Sequence, residues 1–356
     1  MEQRTSSMTD EALLQQLGKQ ARMYVQSHTP INVEALPEAF ETDITPRDTI
    51  FMRNNHDLLT IDAQEWQLTI DGAVEHPLIL DYAALTALPR VKYVAFLECY
   101  GNGRKRFAEL GTPAEGVPWG NGAIANVEWE GASVAAVLQR VGLSPDAVEI
   151  ECRSGGDSAF VRGVEIAPLL ADAIFAYRMN GEPLPPEHGG PVRLVVPGWG
   201  GINWVKWLTG MTVLTQESQS PFNQESYILL DADGRKFGKV REIAPKAMIV
   251  RPSANSTLTA GPQRIQGFAW AARGIERVEI STDGGLTWQP TELAVDHGPY
   301  SWRRFEWQWD TKPGTYRVAA RAIDQTGQHQ AEKAVFNKKG YLMNAIEWLS
   351  FEVLEM

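Results

Sequence analysis

Cysteine is almost missing from this chain of 356 residues, which carries only Cys99 and Cys152. Neither C-x-x-C nor C-x-x-C-H occurs, so a c-type haem attachment is excluded and a disulfide framework has no basis. The six histidines, at positions 28, 56, 76, 188, 297 and 329, never fall at zinc-ligand spacing, and a conventional zinc site is unsupported. Positive charge is in the minority, with 33 Lys and Arg against 44 Asp and Glu. No run of Lys or Arg offers a footprint for nucleic acid, so none is expected as a partner. A net charge of -11 also disfavours anionic substrates in general. A small-anion site therefore needs its own local cluster of cations. No membrane span is expected. Met1 to Gln20 is polar, with neither an apolar signal core nor a twin-arginine pair, which places the chain as written in the cytoplasm, or in the periplasm if a leader has been removed.

What is present is an average globular composition, 44% hydrophobic and 22% charged, long enough for two or three domains. Thr9 to Val25 carries apolar residues at helical spacing behind Thr9 or Asp10 as a cap, and predicts an amphipathic helix. Pro30 to Pro46 reads as an extended arm, so residues 1–44 form a helix and arm ahead of the body. Residues 45–243 mix strands (Trp66 to Ile70, Val91 to Leu97, Asn126 to Trp129, Val148 to Cys152, Val192 to Val196) with helices (Tyr82 to Leu88, Ser133 to Val141, Pro168 to Tyr177), an α+β pattern. Ser218 to Pro245 is polar and glycine-containing and reads as a linker. Residues 244–356 alternate in short strands separated by turns such as Asp283-Gly284-Gly285 and Pro313-Gly314, which predicts an immunoglobulin-like β-sandwich. Its tryptophans, Trp270, Trp288, Trp302, Trp307 and Trp309, are many for one domain to bury and suggest a homodimer.

Two stretches carry chemistry. Phe96-Leu97-Glu98-Cys99-Tyr100-Gly101-Asn102-Gly103-Arg104 sets a lone thiol where an apolar strand stops and a Gly-Asn-Gly turn opens. A thiolate there is a nucleophile or a metal ligand, the plain alternative being a buried Cys that fills apolar space. Gly101 and Gly103 would let a cofactor approach the backbone, and Arg104 favours a thiolate or a bound anion. The second stretch, Glu187 to Trp207, joins a glycine-rich loop to His188, Arg193 and Lys206, three donors able to grip a phosphate. Gly198, Gly200 and Gly201 lack G-x-G-x-x-G spacing and no helix cap follows, which argues against a dinucleotide site.

With these stretches in order, the chain resembles the sulfite oxidase family of molybdenum enzymes, and Gly198-Trp199-Gly200-Gly201-Ile202-Asn203 is most similar to its bacterial sulfite dehydrogenase branch. The resemblance implies a molybdenum-molybdopterin cofactor, with no haem in this chain, in an α+β domain followed by a dimerising immunoglobulin-like domain. It implies Cys99 as the thiolate ligand of molybdenum beside two dithiolene sulfurs. It implies that His188, Arg193, Trp204, Val205 and Lys206 hold the pterin and its phosphate, that Ser154 adds a hydroxyl, and that Asn55 or His56 meets the pterin. Arg53 and Arg104 are implied to line a substrate pocket, with Trp119 as its wall, Tyr227 near the reacting atoms and Lys339 as a third cation. Lys339 stands where animal members carry arginine, and Trp204 where they carry histidine. The implied reaction is oxidation of sulfite to sulfate, with electrons passing to a separate acceptor such as a cytochrome c. Reduction of nitrate or a sulfoxide on the same fold, or a binding module without cofactor, are the alternatives.

Overall fold

The computed structural model describes residues 8–156 and 160–355. Residues 1–7, the start of the polar N-terminal segment, lie outside the described residues. Among the described residues no helix is long and apolar enough to cross a membrane.

Thr9 caps the first helix, Asp10–Gln16, its hydroxyl accepting from the Ala12 N–H at 3.2 Å. That helix is shorter than the stripe to Val25 predicts. Gly18 turns the chain with φ 63, and an antiparallel hairpin follows, Met23–His28 with Ile31–Ala35. Met23 and Val25 are both buried, two residues apart on one face of a strand, and the helical stripe had absorbed this period of two. The expected arm thus contributes a strand, and its Val33 bridges to Met52, next to Arg53.

Two five-stranded sheets build the next unit. One runs Glu182–Pro183, Ile174–Met179, Ile124–Ser133, Arg90–Glu98, all antiparallel, with Arg193–Val195 also pairing to Ile174–Met179. The other runs Leu78–Asp81, Gln67–Gly72, Leu208–Leu214, Glu149–Ser154, Val161–Glu165, with one parallel pair, Leu208–Leu214 on Gln67–Gly72. Helix Val134–Val141 is capped by the Ser133 hydroxyl and buries Val134, Val137, Leu138 and Val141. The helix expected over Pro168 to Tyr177 is instead Ile166–Ala171, and Ile174 to Tyr177 belong to a central strand. A continuous apolar run such as Ile174-Phe175-Ala176-Tyr177 has no period that separates a buried helix from a buried strand.

Ser218 to Pro245 is no bare linker: it holds a turn of wide helix, Phe222–Ser226, and a hairpin, Ile228–Leu230 with Lys236–Lys239. The β-rich remainder is a sandwich. Sheet Lys246–Arg251, Gly261–Trp270, Arg303–Thr311, Glu292–Leu293 faces sheet Thr257–Thr259, Leu349–Leu354, Gly314–Asp324, Ile275–Ser281, Gln289–Pro290 over a core of Ile265, Val278, Phe305, Val318 and Phe351. Three of the five tryptophans counted for a dimer are spent inside. Trp309 lies in the sandwich core against Tyr316, Trp302 packs on Phe268 and Phe40, and Trp270 turns toward the first domain.

At that junction Glu98, the residue before Cys99, accepts from Trp270 Nε1 at 2.9 Å and from Asn102 Nδ2 at 2.8 Å, with Lys246 Nζ 3.9 Å away. All four side chains are buried. Burial pushes the Glu98 carboxyl up and the Lys246 ammonium down, and each charge offsets the other's shift. Glu98→Gln leaves a buried ammonium uncompensated, so it should destabilise the protein by on the order of 3 kcal/mol in denaturant unfolding. The double change Glu98→Gln with Lys246→Met should recover most of that loss. Additive losses would show that the pair is not coupled.

Candidate active site

Strand Arg90–Glu98 pairs with Ile124–Ser133 to its last residue, Glu98 opposite Ile124, and the Cys99 N–H still reaches Ala123 O at 3.0 Å. The chain then folds back, with Asn102 N–H on Cys99 O at 2.8 Å and Arg104 N–H on Gly101 O at 2.9 Å. Cys99 is held at a sheet edge with its sulfur facing a cleft. The two glycines are required by the chain's own packing. A Cβ on Gly101 would meet the Arg104 guanidinium at 2.5 Å, and one on Gly103, at φ 87, would meet Met343 at 3.1 Å and Lys246 Nζ at 3.2 Å. They make room for the chain's own side chains.

Two clefts meet at Cys99. The more apolar one, about 740 Å³, is lined by Asn55, His56, Ser154, His188, Arg193, Trp204, Val205 and Lys206. The other, about 770 Å³, is lined by Arg104, Trp119, Lys339, Glu115 and Tyr341. Arg53, Asn55, Cys99 and Tyr227 border both. Every residue predicted for the site therefore lines one cleft or the other, and Asn55 and His56 both do so.

At the floor of the apolar cleft, and behind it, lies a cluster of buried bases. His188 sits on the turn Pro186–His188, ended by Gly189 at φ 102, where a Cβ would lie 2.7 Å from Lys206 Cβ. Lys206 Nζ donates to Asn54 Oδ1 at 2.7 Å and Glu187 O at 2.9 Å. Arg193 donates to His188 O and Trp204 O, both at 2.9 Å, and its Nε has no partner. Lys19, from just beyond the first helix, reaches His188 Nε2 at 3.2 Å. Among the described residues none of these four is ion-paired to a carboxylate. Burial first, then mutual repulsion, holds His188 and Lys206 well below their ordinary values; burial also pulls Arg193 down and takes Lys19 down to about 7. Buried positive charge without a counter-ion is a place for an anion.

The second cleft has the same character. Arg104 donates from Nε to Lys339 O at 2.9 Å and from Nη1 to Val117 O at 2.7 Å, and lies 5.2 Å over the Tyr341 ring, which fixes its plane. Arg53 donates to Asn54 O and, at 2.7 Å, to Asn55 Oδ1. Trp119 is wholly buried and its Nε1 has no partner. Lys339 departs from the expected third cation: its ammonium is 3.2 Å from Glu115 at the rim, and it is the Lys339 carbonyl that holds Arg104. Burial pushes the Cys99 thiol up, while Arg53 and Arg104 draw it back toward thiolate. Burial likewise raises Tyr227, which stacks on Tyr341 at 5.3 Å.

Trp204 is wall rather than donor, since its Nε1 is bonded to Trp199 O at 2.8 Å. Ser154 accepts from the Phe160 N–H at 3.1 Å. Cys152 is fully buried, its thiol raised to about 12 by burial, and serves packing. Three contributors had no functional signal of their own. Lys19 falls within the Thr9-to-Val25 stripe as a polar residue; Asn54 stands between the predicted Arg53 and Asn55; Tyr341, two residues beyond Lys339, comes from the second domain.

These features fit a pterin phosphate and a thiolate-bound metal. Orphaned donors at Arg193 Nε and Trp119 Nε1, and bases without carboxylates, call for an anionic ligand. No three His, Cys, Asp or Glu side chains converge among the described residues, so Cys99 would share a metal with donors from the cofactor itself.

Comparison with known proteins agrees. Residues 55–222 match the oxidoreductase molybdopterin binding domain, and residues 239–353 the Mo-co oxidoreductase dimerisation domain. The chain is 30% identical to sulfite oxidase of Gallus gallus, over 90% of this chain and 76% of that protein. It is 31% identical to mitochondrial sulfite oxidase of Homo sapiens, over 90% of this chain but 64% of that protein, so it spans less than two thirds of the human enzyme. It is 29% identical to nitrate reductase [NAD(P)H] of Hordeum vulgare, over 85% of this chain and 38% of that one. The crystal structure of the sulfane dehydrogenase SoxCD from Paracoccus pantotrophus superposes with a TM-score of 0.83 at 30% identity, over 90% of this chain and 84% of that chain. With the molybdopterin domain, the dimerisation domain and the cation-lined clefts in one order, this chain belongs to the sulfite oxidase family of molybdopterin-dependent oxidoreductases.

Proposed function

We propose that the enzyme oxidises sulfite to sulfate and passes the electrons to a separate acceptor such as a cytochrome c. Over a full cycle sulfite and water give sulfate, two protons and two electrons. The observation that carries this reading is the meeting of Arg53 and Arg104 with Cys99 and Tyr227 where the two clefts join. The molybdenum cofactor, when bound, supplies the oxygen atom that the product gains and takes up the two electrons.

The chain's own residues do the rest. His188, Arg193 and Lys206 would hold the pterin phosphate, with Asn55, His56, Ser154, Trp204 and Val205 against the ring system. Cys99 would give up its proton to bind the metal, an exchange that Arg53 and Arg104 favour. Those guanidiniums stay charged and present planar forks to the oxygens of a small dianion. The two carbonyls and the Tyr341 ring that fix Arg104 mean that little reorganisation is needed as charge moves. Tyr227 stays protonated, because burial raises it, and so serves as a hydrogen-bond donor rather than a base. Trp119 offers its free N–H from the wall.

A second reading, reduction of nitrate or a sulfoxide, draws support from the likeness to a nitrate reductase. A binding role without cofactor is disfavoured by the cost of burying these bases for nothing.

Metal analysis should find one molybdenum per chain. Cys99→Ser should fold and lose nearly all turnover, while Cys152→Ala should leave turnover intact; protein from molybdate-replete cells lacking both metal and pterin would sink the reading. Arg104→Gln should cost about 2–4 kcal/mol of transition-state stabilisation, tens- to several-hundred-fold in kcat/KM for sulfite, with Arg104→Lys recovering only part. Equal losses for sulfite and for neutral methionine sulfoxide would move the assignment to the sulfoxide reductase. The β-rich domain should mediate a homodimer, in line with the dimerisation domain it matches; sedimentation of a monomer at micromolar concentration would remove that claim alone.

A further inference from the structure

Lys19 lines neither cleft, and it lies outside both stretches matched by the family domains, residues 55–222 and 239–353. It stands behind His188. An ammonium has three donors and no acceptor. The structure gives Lys19 Nζ three acceptors: Arg47 O at 2.7 Å, Ile50 O at 2.8 Å and His188 Nε2 at 3.2 Å. A charged Lys19 therefore requires Nε2 to be the bare nitrogen of the ring, which puts the imidazole proton on Nδ1. Nδ1 has no hydrogen-bond partner among the described residues, and the ring lines the apolar cleft.

We infer that Lys19 is a positioning residue that locks His188 in its Nδ1–H tautomer, so that a neutral ring donates this proton to the anion gripped by Arg193 and Lys206. The inference rests on the reading of that cleft as the pterin phosphate site. The surroundings favour a neutral donor at this spot, since Lys19, Lys206, Arg193 and Arg47 all bear on His188 and oppose a positive ring. They also explain why Lys19 depends on the anion. Burial takes its ammonium down to about 7, with Glu187 and Asp48 as the carboxylates that support its charge. Without its proton, Lys19 would offer His188 a lone pair instead, and the ring proton would move to Nε2. An anion in the cleft keeps Lys19 charged and the tautomer fixed.

The test is ring nitrogen NMR of holoenzyme labelled with 15N-histidine, together with the rate of pterin release, in wild type and Lys19→Met. The wild-type ring of His188 should be neutral with its proton on Nδ1. In Lys19→Met the proton should shift toward Nε2, and pterin should leave about tenfold or more faster, the scale of losing a partner that orients a ligand. A wild-type ring protonated on Nε2 would overturn the inference without any variant, even if Lys19→Met fails to fold. Unchanged tautomer and release in Lys19→Met would overturn it while leaving the functional reading standing. Wild-type protein devoid of pterin would overturn both.

Discussion

Unmatched positive charge in the interior is the constraint on which the rest of this molecule depends. Lys19, Arg193 and Lys206 surround the neutral His188 ring, and the oxygens that meet the three cations are carbonyls and one amide: Arg47 O, Ile50 O, Glu187 O, His188 O, Trp204 O and Asn54 Oδ1. Such oxygens solvate a cation without neutralising it. Burial of an unpaired ion costs several kcal/mol even after relaxation, and these side chains remain inside because the fold is complete only with an anion. Gly189 exists to let the Lys206 stem pass, and the N-terminal segment is folded back to bring Lys19 behind His188.

The second cleft repeats the theme, and Cys99 borders both. Its position is set from both domains. Pairing with Ala123 fixes it from the sheet, while Trp270 and Lys246 of the β-sandwich grip Glu98 and Asn102 on either side of it. Tyr341 and the Lys339 carbonyl, also from the second domain, fix Arg104. A chain of net charge -11 thus lines its two cavities with Arg53, Arg104, Arg193, Lys206 and Lys339, the local cluster of cations that a small-anion site needs.

Much of this was legible in the sequence, because the residues that meet the ligands come in short runs whose spacing survives folding. Phe96 to Arg104 and Glu187 to Trp207 each deliver several side chains from one strand end or turn, and all of those predicted line a cleft. What was not legible came from distant segments or from competing periods. Lys19 looked like a helix surface because the Thr9-to-Val25 stripe hid a strand beginning at Met23. Tyr341 gave no sign that a residue from the second domain, on the segment between strands Gly314–Asp324 and Leu349–Leu354, would stack on Tyr227. Lys339 was placed correctly, but its pairing with Glu115 depends on a loop more than two hundred residues away. The tryptophans of the second domain suggested a homodimer, whereas Trp270, Trp302 and Trp309 are buried within the chain itself.

The central claim is that the cation wall and Cys99 serve one cofactor, the wall holding its phosphate and the thiolate its metal. X-ray absorption at the molybdenum edge, on wild type and Cys99→Ser with pterin quantified in the same samples, tests this most directly. The account predicts that the variant loses one sulfur neighbour of the metal while the pterin per chain is unchanged. An unchanged sulfur count, or pterin lost together with the thiol, would contradict it.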